Sequence, residues 1–315
     1  MSVVRSLRRV EAGELGFTLV ELRGAQPGPV VAVLGGVHGD EPEGVASAHR
    51  LIERLERAPL RGTVLLVPVC NEAAFAACAR RSPGDGGDLA RSFPGDARGA
   101  PTARLAAALH GNAIEPADAL VDLHSAGVHY AMPRLAGFVD DGSETSRTAE
   151  RLALSMGLPV VWRHRGEPPP GRTLTAAHAA GIPAVYTETG GGGVARGVDV
   201  GAYVRGVTGL LEALELLPRN RARIASRPLR LAGAGDLDAA AIRAPRTGLV
   251  EPCVRTLDEV VAGDPVAHVL DPVSGERTAA CAERDGTVVL MRRTGSIAAG
   301  ESLCHLAEPD AGVGA

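Results

Sequence analysis

The stretch GGVHGDEPEG, residues 35–44, sets His38 three residues before Glu41. A neutral imidazole nitrogen and an anionic carboxylate oxygen form a ligand pair that suits Zn2+. The pair follows the apolar run VVAVLGG, residues 30–36. Such a run reads as a buried strand, so the next loop lies at the carboxyl edge of a sheet, where open α/β proteins place their sites. Gly35, Gly36 and Gly39 let the backbone turn sharply around the pair. A plain surface loop also accounts for these ten residues, with Glu41 as a first-turn carboxylate favoured by a helix dipole.

Three further stretches bear on the same chemistry. In VDLHSAG, residues 121–127, a second apolar strand ends at His124. If His124 reaches the same sheet edge, two histidines and one glutamate leave a fourth position open, the composition of a catalytic zinc site. Asp122 falls on the same strand face and could support His124, although an aspartate at a strand end often only bonds nearby backbone. In VYTETGGGG, residues 185–193, a strand delivers Glu188 into a glycine run. A carboxylate beside an activated water can take its proton and return it to a leaving amine. By itself, Glu188 reads rather as a solvated strand end before a flexible glycine loop.

The loop RRSPGDGGDLARSFPGD, residues 80–96, places Arg80 and Arg91 around a turn rich in Gly and Asp. Guanidinium forks hold carboxylates bidentately, and Arg91 could also polarise a scissile carbonyl. Pairing of both arginines with the loop's own aspartates is the simpler alternative. Asn71, just past another strand, reads as a structural residue that fixes its loop by hydrogen bonds.

These residues need a scaffold. Strands are expected over residues 30–34, 63–67, 119–123, 160–162 and 184–187. Helices are expected over 43–57, 102–110, 144–155, 173–180 and 200–216, with Thr102 and Ser143 as N-caps. Residues 1–28 read as a strand or hairpin leading in. The alternation implies an α/β fold with a central parallel or mixed sheet and helices on both faces. Two long connections, 80–101 and 164–172, interrupt the rhythm, and loops of that length after strands favour function.

A catalytic domain is expected over residues 1–224 and a β-rich domain over 225–315. The second repeats itself: APRTGLV at 244–250 answers AERDGTV at 282–288, and VAGDPVAHVLDP at 261–272 answers AAGESLCHLAEP at 298–309. The offset of 37 or 38 residues suggests a small pseudo-symmetric β-sandwich. It resembles the barrel-sandwich of biotinyl and lipoyl carriers, but lacks their acceptor lysine. A structural role follows, oligomerising or lidding the site.

Composition narrows the function. All 33 basic side chains are arginine, which excludes a lysine Schiff base and a Walker-type phosphate lysine. A net charge of −4 and few aromatics leave no footprint for nucleic acid or an anionic membrane. The five cysteines lack CxxC spacing, and the N-terminus shows no apolar h-region, so a cytoplasmic protein is expected. A homo-oligomer is allowed.

The ordered set GGVHGDEPEG, NEAAF with RRSPGDGGDLARSFPG, VDLHS and TETG resembles the succinylglutamate desuccinylase/aspartoacylase family. The resemblance spans about residues 30–215 and implies a carboxypeptidase-like mixed sheet flanked by helices. It also implies a zinc-dependent N-acyl amino acid amidohydrolase with one Zn2+ per chain and a small carboxylated substrate. By that resemblance the metal ligands fall on His38, Glu41 and His124, the general base on Glu188, and the substrate-binding arginines on Arg80 and Arg91. Where the family usually reads D-L-N-R, this chain reads Asp88-Leu89-Ala90-Arg91, so an amide that grips substrate is replaced by Ala90. Altered substrate choice with retained hydrolytic machinery is expected. The alternatives are a metallocarboxypeptidase acting on short peptides and a non-catalytic metal-binding scaffold.

Overall fold

The computed structural model describes residues 3–166, 169–220, 227–234 and 240–310. Strands β1 (Val4–Ala12) and β2 (Leu15–Arg23) form the leading hairpin. Then follow β3 (Gln26–Gly35), α1 (Pro42–Leu55), β4 (Arg61–Val67), α2 (Glu72–Ala76), α3 (Pro101–Leu109) and β5 (Ala119–Leu123). The next elements are β6 (Tyr130–Ala131), β7 (Leu135–Asp140), α4 (Glu144–Ser155), β8 (Val160–Arg165), α5 (Thr173–Ala179), β9 (Ala184–Glu188) and α6 (Gly197–Ala213). Every strand and helix expected in residues 30–216 is present, with ends moved by a few residues. β6, β7 and α2 were not expected. Gly137 interrupts the apolar run of β7 and weakens its strand signal, and α2 is a single short turn of helix.

β4, β3, β5 and β9 run parallel as successive neighbours, and β7 joins β9 antiparallel, so the sheet is mixed. Alternation along β3 sorts its side chains between two layers. Val31 and Val33 pack in one cluster with Leu51 and Leu55 of α1 and Leu210 of α6. Ala32 and Leu34 pack in another with Leu105 of α3 and Ala177 of α5. Helices therefore cover both faces, as the alternation implied. Each fully buried Val or Leu contributes about 1.5–3 kcal/mol of transfer free energy to this arrangement.

One expected cap is corrected. Ala100, not Thr102, is the N-cap of α3, and Pro101 opens the helix. Proline suits that first position because its ring fixes φ and the missing N–H would lack a helical partner anyway. Capping comes from outside the helix: Asp85 accepts from the Thr102 N–H at 2.8 Å and from its hydroxyl at 2.7 Å. Ser143 does cap α4, accepting from the Ser146 N–H.

The expected boundary at 224/225 lies outside the described residues. Beyond it come β10 (Leu229–Gly233), β11 (Ile242–Arg243), β12 (Gly248–Pro252), β13 (Glu259–Val260), β14 (Pro265–Leu270), β15 (Arg277–Cys281), β16 (Gly286–Arg292), β17 (Ser296–Ile297) and β18 (Ser302–Pro309). The sequence repeat maps onto them. β12 pairs with β14, and its counterpart β16 pairs with β18. The short strands cross over: β17 adds to β12, and β13 adds to β16. Val266 and Val269 from one sheet pack with Val288, Leu303 and Leu306 from the other. The tail also extends the central sheet, since β10 lies parallel to β8 and β18 antiparallel to β10. No helix among the described residues is long and apolar enough to cross a membrane.

Candidate active site

Three adjacent parallel strands end together. Gly35 at the end of β3 is in register with Leu123 of β5, and Leu123 with Thr187 of β9. Register thus brings His38, Glu41 and His124, past the ends of β3 and β5, and Glu188, the last residue of β9, to one carboxyl edge. Gly39 makes the tight turn possible: a Cβ there would lie 2.0 Å from the Ala74 carbonyl carbon. Glu41 occupies the N-cap position of α1 but caps nothing, because its carboxylate turns to the histidines.

Glu41 bridges the two imidazoles. His38 Nδ1 lies 2.8 Å from Glu41 Oε1, and His124 Nδ1 lies 3.0 Å from Glu41 Oε2. One ligand atom from each residue falls within 4.8 Å of the others, and all three residues are buried. Behind the cluster, each outer ring nitrogen meets a carboxylate. His38 Nε2 is 3.1 Å from Asp88 Oδ1, and His124 Nε2 is 2.9 Å from Asp122 Oδ2. Carboxylates of this kind fix the tautomer and orientation of metal-binding histidines. The Ser125 N–H donates to Glu41 Oε2 at 3.0 Å, and the Ser125 hydroxyl donates to buried Glu43. Asn71 braces the neighbouring loop, accepting from the Ala74 N–H and donating to the Ser82 hydroxyl.

The field at the cluster favours positive charge. Burial disfavours charge on His124, yet Asp122 and Glu41 raise its pKa well above the ordinary histidine value. Burial would raise Glu41, but the charges of His38 and His124 hold it well below the usual carboxylate range. Asp88 is also held low: burial is outweighed by the hydrogen bond to His38 and the Arg80 charge. An N,O,N donor set, each histidine supported from behind, fits a zinc ion.

A cavity of about 740 Å3 opens over these residues and is lined by all six expected site residues: His38, Glu41, Arg80, Arg91, His124 and Glu188. Burial, reinforced by the charge of Glu41, pushes the Glu188 carboxyl up to about 8. Arg80 donates to Asp88 at 3.1 Å and stands 3.8 Å from Glu41, so part of its charge is taken up by the carboxylates around the two histidines. Arg91 donates to the Ala90 carbonyl at 3.2 Å. Ala90 itself is buried against the cavity.

Several residues at and behind the cavity wall escaped the sequence reading. Asp88 had no spacing signal linking it to His38, fifty positions away. Tyr186 and His164 sit on neighbouring walls and share a 2.8 Å hydrogen bond. The 164–172 connection, whose length did favour function, brings Arg165 and Arg172 to the cavity, whereas Arg163, just before it, is buried in ion pairs with Asp140 and Asp310. The β-rich tail contributes Leu290, Arg292, Glu301 and Ser302. β16 pairs with β6 beside the cavity, and the Tyr130 hydroxyl donates to the Ser302 carbonyl at 3.1 Å. Arg293 Nη1 donates to the carbonyls of Gly190 (3.2 Å) and Gly191 (3.0 Å), just past Glu188.

The catalytic-domain profile of the Succinylglutamate desuccinylase/Aspartoacylase family matches residues 27–214, which contain all six site residues. The chain belongs to the succinylglutamate desuccinylase/aspartoacylase family. The family is one of N-acyl amino acid deacylases. The N-alpha-acetyl-L-2,4-diaminobutyric acid deacetylase of Halomonas elongata is 32% identical over 284 residues, covering 89% of this chain and 82% of the relative. The succinylglutamate desuccinylase/aspartoacylase structure from Rhodobacter sphaeroides has a TM-score of 0.85 at 26% identity, covering 98% of this chain and 96% of that one. The product-bound ectoine utilization protein EutE (DoeB) of Ruegeria pomeroyi shares the fold, with a TM-score of 0.88 at 24% identity and coverage of 98% and 95%. Likeness to these family structures extends beyond the matched catalytic region and takes in the β-rich tail.

Proposed function

We propose that this member of the family hydrolyses the amide bond of a small N-acyl amino acid in a zinc-dependent reaction. The reading rests on one convergence: two histidines and a glutamate set for a metal share a cavity with Glu188 and several arginines. The name of the Halomonas relative supports acetyl as the acyl group.

His38, Glu41 and His124 would hold the ion. A bound zinc supplies Lewis acidity and a water acidified toward about pH 7. Glu188 takes a proton from the attacking water and passes it to the nitrogen of the departing amine. Water is added across the amide, leaving a carboxylate and a free amino acid. Arg91 faces the carbonyl oxygen as negative charge develops there. Arg80 orients the substrate carboxylate by a guanidinium fork. The walls exclude solvent and hold the amide near the base.

A metallocarboxypeptidase would use the same ligands and base. Zinc-loaded protein should therefore be assayed against N-acetyl amino acids and against short peptides with free C-termini. Turnover of the acetylated compounds, absent after His38→Ala together with loss of bound zinc, is the expected result. Turnover confined to peptides would replace the reading with the peptidase, and zinc content without hydrolysis of either would favour a binding scaffold.

A further inference from the structure

Tyr186 lies on β9 two residues before Glu188, so both side chains leave the same face of the sheet, and both line the cavity. Its ring crosses β7 at Gly137, its partner in register, where a Cβ would sit 2.0 Å from Tyr186 Cε1. Any side chain at position 137 would displace the ring, so the glycine that weakens the strand signal of β7 is what admits it. Beyond β7, the Tyr186 hydroxyl meets His164 Nε2 of β8 at 2.8 Å. The two rings stack at 25°, with centroids 5.5 Å apart. The imidazole is backed in turn by fully buried Trp162, at 4.6 Å between centroids. With its hydroxyl engaged by His164, Tyr186 offers the cavity mainly an apolar ring.

That ring joins two apolar patches. It packs against the cluster that contains Ala90, Val139 and Leu174, and against the cluster that contains Met132 and Leu290. All five of these residues line the cavity. Ala90, standing where the family usually carries an asparagine, extends the band instead of breaking it with an amide. The geometry points to Tyr186 as a specificity-determining residue, the centre of an apolar band that takes a hydrocarbon side chain on the amine half of the substrate. This inference rests on the deacylase reading above. The acetyl group of that reading has a single methyl and covers at most one of these side chains, so the band is left for the amino acid. A hydrocarbon side chain loses only unfavourable contact with water there, whereas an amide of the same shape would lose its water without gaining a hydrogen bond.

N-acetyl-L-leucine and N-acetyl-L-asparagine have side chains of nearly one shape, the first apolar and the second polar. With zinc-loaded wild type, kcat/KM should favour the leucine compound on the order of 50-fold. Tyr186→Ser removes the ring, and the preference should fall to within about fivefold. Tyr186→Phe keeps the ring, loses only the hydroxyl and should keep most of the preference. If the serine variant does not fold, Leu174→Thr, which puts a hydroxyl into the band, is read the same way. Equal use of both compounds by wild type, an unchanged preference in the serine or threonine variant, or a preference lost equally in Tyr186→Phe overturns the site and leaves deacylation standing. A preference for N-hexanoylglycine over N-acetylglycine that Tyr186→Ser abolishes would move the apolar group to the acyl half and overturn the assignment to the amino acid. Hydrolysis of no N-acyl amino acid overturns the deacylase reading and the site with it.

Discussion

His124 Nε2 stands 2.9 Å from Asp122 Oδ2, although the two residues are only two apart in the chain. The same carboxylate oxygen accepts from the Thr173 hydroxyl on α5 at 2.5 Å. The imidazole is thereby held with Nδ1 toward Glu41. Asp122→Ala should weaken zinc binding by about 10- to 100-fold, the usual cost of losing such a partner. Competition with a chromogenic chelator measures it. Unchanged affinity would show that Asp122 does not support the metal ligand.

Glu188 lines the cavity, and burial with the nearby Glu41 charge raises its carboxyl to about 8. Glu188→Gln conserves volume and removes the proton acceptor. Turnover should fall by about 10²-fold or more while zinc content stays at the wild-type level. Near-normal turnover would remove Glu188 from the role of base.

Arg293 connects the tail to the loop that follows Glu188. That loop has φ of +61°, +94° and +67° at Gly191, Gly192 and Gly193, so few local restraints hold it. Arg196 also donates to Gly191, at 2.6 Å, and the Gly192 N–H donates to Gly127. Arg293→Ala removes two contacts from this set and should lower kcat by roughly 3- to 10-fold, with a smaller change in KM. Amide hydrogen exchange should quicken at residues 190–193. A kcat equal to wild type would confine Arg293 to surface packing.

His164 provides a pH dependence. Burial first, then the nearby His305 and Arg172 charges, lower its pKa from 6.5 to about 3. Above pH 6.5 the imidazole is neutral in both folded and unfolded chains and has no effect on stability. As pH falls below 6.5, only the unfolded chain takes up this proton, so stability is lost until the folded pKa is reached. At pH 5 the loss amounts to about 2 kcal/mol. Denaturant unfolding at pH 7 and pH 5 should show this extra loss in wild type and not in His164→Gln. Equal losses in both proteins would contradict a neutral buried His164.

The site was more legible than its surroundings. His38 and Glu41 are three residues apart, so a local turn brings them close. His124 and Glu188 each end an apolar strand, and strands of that kind converge at one sheet edge. Asp88 was not legible, because a loop of some twenty residues can fold back in many ways. Its contact with His38 depends on Arg80, Asn71 and Ser82 holding that loop in place. The Thr102 cap was misread for a related reason: the acceptor came from Asp85 in that same loop.

By itself the sequence determined the alternating strands and helices, the repeated tail, the metal-ligand types and the family, since these depend on periodicity, spacing and local residue chemistry. Only the tertiary structure decided which groups share a cavity. It set Asp122 and Asp88 behind the imidazoles, brought Arg292 and Glu301 from the tail to the wall, and turned Arg163 away into ion pairs. These placements depend on packing between segments far apart in the chain, and no local pattern encodes such distances.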